Sequence, residues 1–298
     1  MIYFVATPIG NLKDITLRAI EVLESVDVIA CEDTRNSLKL LNHFGIKKKL
    51  ISYHKFNEKS SADGIVLLAK EGKNIAVISD SGMPLISDPG HVLVKRLKEE
   101  ELAYTVIGGV SASLNALVLS GQSTERFLFL GFLPEKKPKE FLEKYKNVDA
   151  SLIFYVAPHS LKKDLEVIAS VLKKRKASLV NEISKMYEKI FDFELDTEGS
   201  LACECTSCAG LGHEGSCKGA TNCTHKLSSL EEIEPRGEYV LVVEGAKESE
   251  VKLNNLSINE HIDFYIKTGL DQKEAIKKVA KDRGTSKSEI YSANLKNK

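Results

Sequence analysis

Apolar residues in this chain fall in short unbroken runs separated by amphipathic stretches, and the runs are too brief and too rich in β-branched residues to be helices. Ile2-Tyr3-Phe4-Val5-Ala6 opens the pattern, and Thr7-Pro8-Ile9-Gly10-Asn11 breaks it with turn residues. Ile15, Ala19, Leu23 and Val26 then keep near-helical spacing, and Val28-Ile29-Ala30-Cys31 forms a second run that ends at Glu32-Asp33-Thr34-Arg35. A third, Ile75-Ala76-Val77-Ile78, leads straight into Ser79-Asp80-Ser81-Gly82-Met83-Pro84. Strands that are apolar throughout, interleaved with amphipathic helices, predict a mainly parallel sheet covered on both faces. Ligands of such sheets sit beyond the carboxyl ends of the strands, which singles out loops 7–11, 32–35 and 80–90.

The pattern loosens over residues 120–126, and Phe127-Leu128-Phe129-Leu130-Gly131-Phe132-Leu133-Pro134 begins a second block. There Ser151-Leu152-Ile153-Phe154-Tyr155 predicts a strand, residues 159–173 a helix, and Tyr239-Val240-Leu241-Val242-Val243 a late strand. Past Gly245 the chain turns polar, and helix-sized patterns over 260–298 break at Gly269 and Gly284. The expected organisation is an α/β domain over 1–120, a second over 124–247 with a cysteine-rich insert at 199–226, and a small basic helical tail over 252–298.

A length of 298 residues suits about two domains, and a 43% hydrophobic content can fill their cores. The 42 basic and 42 acidic side chains cancel, so a polyanion has to be met by a local patch. No run approaches the roughly 18 apolar residues of a membrane span, and the opening residues lack the features of a signal peptide. A cytoplasmic protein with no membrane partner is expected. With no tryptophan and no stacking-aromatic pattern, a dedicated single-strand RNA module is disfavoured.

No G-x-G-x-x-G follows the first strand, and neither a P-loop nor a G-x-S-x-G elbow occurs. Instead Thr7-Pro8-Ile9-Gly10-Asn11-Leu12, Glu32-Asp33-Thr34-Arg35, the stretch from Ser79 to Gly90 and Gly131-Phe132-Leu133-Pro134 resemble the ribosomal RNA small subunit methyltransferase I family of the tetrapyrrole methylase superfamily. The similarity continues through Glu234-Pro235-Arg236-Gly237-Glu238-Tyr239 and the basic tail. It implies a two-domain tetrapyrrole-methylase-like α/β fold that binds S-adenosylmethionine between its domains. It also implies 2′-O-methylation of the ribose of a decoding-centre cytidine in 16S rRNA of the small ribosomal subunit, by a homodimer. The chain departs from the family pattern at Gly108-Gly109-Val110-Ser111-Ala112, at Val156-Ala157-Pro158-His159-Ser160 and at Asn181-Glu182-Ile183-Ser184-Lys185.

By this resemblance the cofactor candidates are Pro8, Gly10, Asp80, Gly82, Met83, Ile86, Ser111 and Ala112 from the first domain, with Val156 and Ile183 from the second. Gly10 and Gly82 would let backbone approach a ligand, although turn geometry alone would also select glycine. A ribose hydroxyl attacks well only if its proton is removed as the bond forms. Lys185 with Glu182 is the first candidate for that task and His159 the second. A helix over 182–188 would place 182 beside 185, and a solvated charged helix edge would have the same sequence. Arg18, Arg35, Lys136 and Lys137 are the RNA-binding candidates, and basic clusters also occur at 47–49, 173–176 and in the tail.

Cys203, Cys205, Cys208, Cys217 and Cys223 exceed the four ligands of a structural zinc. Disulfides, an iron–sulfur centre and a metal-free loop are the alternatives. Two rival functions also stay open: a tetrapyrrole methylase, and a non-catalytic RNA- or ribosome-binding protein on the same fold.

Overall fold

The computed structural model describes residues 1–54, 57–195, 201–202, 224–226, 233, 237–246, 256–283 and 285–296. Its first half is β1 (Ile2–Val5), α1 (Leu17–Ser25), β2 (Val28–Cys31), α2 (Thr34–His43), β3 (Lys49–Ser52), α3 (Glu58–Lys70), β4 (Ile75–Ile78), α4 (His91–Glu99), β5 (Tyr104–Ile107) and α5 (Ala112–Leu119). The five strands are all parallel, in the order β3-β2-β4-β1-β5. Successive side chains of a strand point to opposite faces, so a strand buried on both sides must be apolar throughout. β4 is such a strand: Ile75 and Val77 pack with Ile65, Leu93 and Leu97, while Ala76 and Ile78 pack with Ala19, Leu23 and Leu41.

The second half is β6 (Phe127–Phe132), α6 (Pro138–Glu143), β7 (Ser151–Val156), α7 (Leu161–Val171), β8 (Lys176–Asn181), β9 (Lys189–Leu195), β10 (Leu201–Ala202), β11 (Thr224–Lys226) and β12 (Tyr239–Val243). These strands form one mixed sheet in the order β10-β9-β8-β12-β7-β6, with β11 also pairing β9. β6 and β7 are parallel, whereas β12 runs antiparallel to both β7 and β8, and β8 antiparallel to β9. One face buries Leu152, Phe154, Leu179, Leu241 and Val243 with Leu161, Leu165 and Ile168 of α7. The other buries Ile153, Val180, Val240 and Val242 against Ile9, Ala116 and Leu117 of the first half. This second apolar seam sets the two sheets beside one another.

Two local expectations are corrected. The helix expected over 159–173 divides into a 3-10 turn at Pro158–Ser160 and α7. The helix expected over 182–188 does not form. Glu182 and Ser184 have φ of +52° and +68°, values a right-handed helix excludes, and the segment links the antiparallel pair β8 and β9. Toward the C-terminus, α8 (Ile258–Lys267), α9 (Gln272–Arg283) and α10 (Lys287–Lys296) pack around Ile262, Ala275, Ile276, Val279, Ala280 and Ile290. His261 is buried beneath them, its Nδ1 accepting from Arg283 Nε at 3.1 Å.

Candidate active site

The loops after β1 and β4 are tied together by a two-way backbone bridge. Thr7 N–H donates to Gly82 O at 2.9 Å and Gly82 N–H to Thr7 O at 3.1 Å. Left-handed backbone is concentrated in the second loop, at Gly82 (φ +79°), Leu85 (+74°), Ser87 (+66°) and Gly90 (+143°). Left-handed residues other than glycine cost energy and persist where surrounding contacts impose them, commonly at ligand sites. Glu58 of α3 anchors the end of this loop, its Oε1 accepting from Gly90 N–H at 2.7 Å, and a Cβ on Gly90 would lie 2.5 Å from Leu85 Cγ.

A cavity of about 250 Å³ opens between the two sheets. Gly82, Met83 and Ile86 line it from the β4 loop, Ser111 and Ala112 from the start of α5, and Val156 from the end of β7. The structure thus brings these cofactor candidates together. Ile183 is not among them: it is buried in the seam between the sheets, beside Ile9 and Val240. Sequence reasoning did not select Phe132, Tyr155, Glu238 or Tyr239, which also line the cavity together with Asp88. Glu238 lies in the Glu-Pro-Arg-Gly-Glu-Tyr motif, which could have flagged it, whereas Tyr155 looks like any other apolar strand position.

The lining suits the methyl donor the sequence leads one to expect. Met83, Tyr239 and Val240 supply apolar surface for a purine, and serines 81, 87 and 111 supply hydroxyls for a ribose. Asp88 and Glu238 supply acidic groups for the donor's cationic centres. Burial, then the charges of Glu32 and Asp80, push the Asp88 carboxyl up to about 6, against a hydrogen bond from Ser79. A cationic ligand would reverse that shift. Glu32 is also raised by burial, and so is the Tyr155 phenol.

A second cavity of about 310 Å³ shares Ile9, Ser81 and Glu238 with the first. Pro8, Gly10, Asp80 and Lys185 line this one rather than the first cavity. Asp80 accepts from Asp33 N–H at 3.2 Å and Asn36 Nδ2 at 3.0 Å, which ties the β4 loop to the start of α2.

Glu182 and Lys185 are joined without a helix. Lys185 Nζ donates to Glu182 Oε1 at 3.0 Å, and Lys185 N–H donates to Glu182 O at 3.0 Å. Two glycines make the pair possible. A Cβ on Gly10 would come within 2.5 Å of Lys185 Cγ, and one on Gly237 within 2.1 Å of Glu182 Oε1. Gly10 therefore makes room for the lysine stem. The Glu238 N–H donates to the same Glu182 oxygen at 3.2 Å, and Glu182 N–H donates to Glu238 O at 3.2 Å. Glu188 accepts from Ser184 N–H at 2.8 Å, and Ser184 Oγ donates to Asp14, so the rest of the turn is held from both sides. His159 is exposed on the 3-10 turn and lines neither cavity.

The RNA candidates are scattered. Arg18 is exposed on α1. Arg35 is fork-bonded to Asp33 at 2.8 and 3.1 Å, and that guanidinium holds the Asp33 carboxyl down at about 2. Lys136 is exposed, while Lys137 pairs with Glu140 at 2.9 Å. Within the 173–176 cluster Arg175 is buried and donates to Lys146 O, which removes it from any phosphate-binding surface. Cys203, Cys205, Cys208, Cys217 and Cys223 lie outside the described residues. Among the described residues no group of three or more His, Cys, Asp or Glu could hold a metal, and nothing supports zinc. Cys31 is a buried free thiol that burial pushes up. Among the described residues no helix is long and apolar enough to cross a membrane.

Residues 1–197 match the family of Tetrapyrrole (Corrin/Porphyrin) Methylases. The chain is 41% identical over 296 residues to "Ribosomal RNA small subunit methyltransferase I" of Halalkalibacterium halodurans, covering 97% of this chain and 93% of that one. It is 38% identical over 300 residues to the Bacillus subtilis protein of the same name, covering 98% and 93%. Among solved structures, a diphthine synthase aligns with a TM-score of 0.60 at 13% identity, over 83% of this chain and 90% of that one. The methyltransferase CobJ aligns at 0.54 and 18%, over 82% and 94%. At such identities the structural likeness speaks to the fold alone. With near full-length identities of this size beside the domain match, the chain belongs to the tetrapyrrole methylase family and, within it, to the ribosomal RNA small subunit methyltransferase I group.

Proposed function

We propose that this protein methylates the ribose 2′-oxygen of a decoding-centre cytidine in 16S rRNA, acting on the small ribosomal subunit in the cytoplasm as a homodimer. The observation that carries the reading is the junction of the two cavities. Residues suited to a methyl donor line one, the Lys185–Glu182 pair reaches the other, and Ile9, Ser81 and Glu238 border both. Bound in the first cavity, S-adenosylmethionine would supply an electrophilic methyl group on a sulfonium.

The protein's own contribution is placement, exclusion of water and removal of one proton. Ser81 and Gly82, held by the Thr7 bridge, fix the border between the cavities. The acceptor hydroxyl presents its oxygen there and its proton toward Lys185 Nζ. As that proton moves to Nζ, an Nζ proton passes along the 3.0 Å hydrogen bond to Glu182 Oε1, leaving lysine charged and glutamate neutral. Glu238 N–H holds the receiving oxygen in place at 3.2 Å.

Transfer of tritiated methyl to small subunits lacking the modification, compared with naked rRNA and with a tetrapyrrole, tests the reading. Label on a cytidine 2′-oxygen in subunits supports it. Label on the tetrapyrrole alone would replace it with the rival enzyme, and absence of donor binding at micromolar concentration would remove both.

A further inference from the structure

The three C-terminal helices carry a site the catalytic cavities do not use. Lys273 and Lys277 lie one turn apart on α9, and Lys287, Ser288 and Tyr291 of α10 join them around a groove of about 520 Å³. We propose that this groove binds the sugar-phosphate backbone of a folded RNA, docking the substrate at a distance from the chemistry. The proposal rests on the reading of the protein as an RNA methyltransferase.

Charge placement favours this occupant. The tail contains both acids and bases, yet its acids are largely engaged in local structure. Glu260 closes a capping box with Ser257, and Asp271 accepts from Glu274 N–H at 2.7 Å. Glu289 accepts from Ser286 N–H at 3.2 Å. Asp282 accepts from the Tyr265 hydroxyl and lies 3.7 Å from His261 and 4.0 Å from Lys278. By contrast, Lys273, Lys277 and Lys287 are exposed, and none forms an ion pair among the described residues. Glu274 is the one carboxylate lining the groove among those residues. A segment of mixed composition therefore presents one basic face. Tyr291, 56% exposed beside the lysines, adds a flat surface for a base or sugar.

Several of the cations first singled out from the sequence are committed elsewhere. Arg35 is clamped by Asp33, Lys137 by Glu140, and Arg175 is buried. A pair of packed helices such as α9 and α10 is a common frame for presenting basic side chains to a nucleic-acid backbone.

The test is a triple variant of the full chain, Lys273→Gln with Lys277→Gln and Lys287→Gln, all at exposed positions. Binding of an RNA duplex of about 16 base pairs is measured against salt, with an acidic peptide as a second probe. The affinity of the variant for the duplex is expected to fall about tenfold, and the slope of log affinity against log salt to flatten by about 2. In methyl transfer to small subunits KM is expected to rise with kcat and donor binding unchanged, and Tyr291→Ser to give a smaller loss with the salt slope intact. An unchanged duplex affinity and slope would overturn the proposal. So would peptide binding that equals duplex binding and depends on the same three lysines, which would make the groove a protein-docking site. Failure of the unaltered chain to methylate RNA would count against the functional reading, and the duplex measurement would still decide the groove.

Discussion

The two sheets contribute to the site in different ways. The parallel sheet contributes through its loops: a bridged pair, left-handed turns and, at the cavity border, glycine beside serines 81, 87 and 111 and Asp88. The mixed sheet delivers side chains, among them Tyr155, Glu238 and the Glu182–Lys185 pair, from strand ends and the turn between β8 and β9. A parallel sheet gathers all its carboxyl ends at one edge, so its loops meet each other and can shape a cradle. An antiparallel pair returns the chain at once, and its tight turn can hold two charged groups three residues apart with no helix between them.

The sharpest test of this contrast is chemical. Lys185→Ala or Glu182→Gln should lower kcat by about 10²- to 10⁴-fold while donor affinity, measured by calorimetry, stays within about twofold. Equal losses in donor binding would mean that the mixed sheet holds the cofactor and would break the division of labour. Gly10→Ala should reproduce much of the Lys185 loss, because the new Cβ displaces the lysine stem. The next largest effect concerns the core. Phe154 is fully buried under α7, and Phe154→Ala should cost about 3–5 kcal/mol of stability, read from denaturant midpoints.

A pH effect follows from Asp88. Its pKa is raised in the folded chain, from an ordinary 3.8 to about 6, so the folded state binds more protons than the unfolded state between those values. Stability from this group is therefore present below the ordinary value and is lost as pH rises through about 6. Asp88→Asn should raise Tm at neutral pH and flatten its pH dependence. A cationic donor prefers the carboxylate, so donor affinity should weaken severalfold as pH falls below about 6 and should lose that dependence in Asp88→Asn. The smallest effect is expected at Arg35, whose exposed pairing with Asp33 contributes little. Arg35→Ala should leave Tm unchanged and weaken RNA binding by no more than about threefold.

The interior of the first sheet could be read from the chain because β1, β2 and β4 are buried on both faces and therefore spell continuous apolar runs. Its edges β3 and β5 could not. Lys49 and Ser52 are exposed, and Tyr104 and Thr105 only half-buried, so those strands mix polar with apolar residues and merge into their surroundings. β9 was missed for a similar reason, since Asp192 and Glu194 alternate with buried Phe191, Phe193 and Leu195. The loops that line the first cavity were legible through their motifs. The partnership of Glu182 with Lys185 was legible as spacing but not as geometry, because a separation of three residues fits a helical turn and a tight loop alike. The division of candidates between two cavities depends on how the sheets meet along the Ile9–Val240 seam, which no local pattern encodes.

Gly10 and Gly237 bear no functional group, yet each leaves open the space that one partner of a charge pair occupies. A single extra methyl at either position would push one side chain out of the pair while every candidate reactive atom stayed in the sequence. A damaged copy of this protein could therefore keep its full set of candidate catalytic residues and still be inert, and the sign of that damage would be found at positions whose only contribution is empty space.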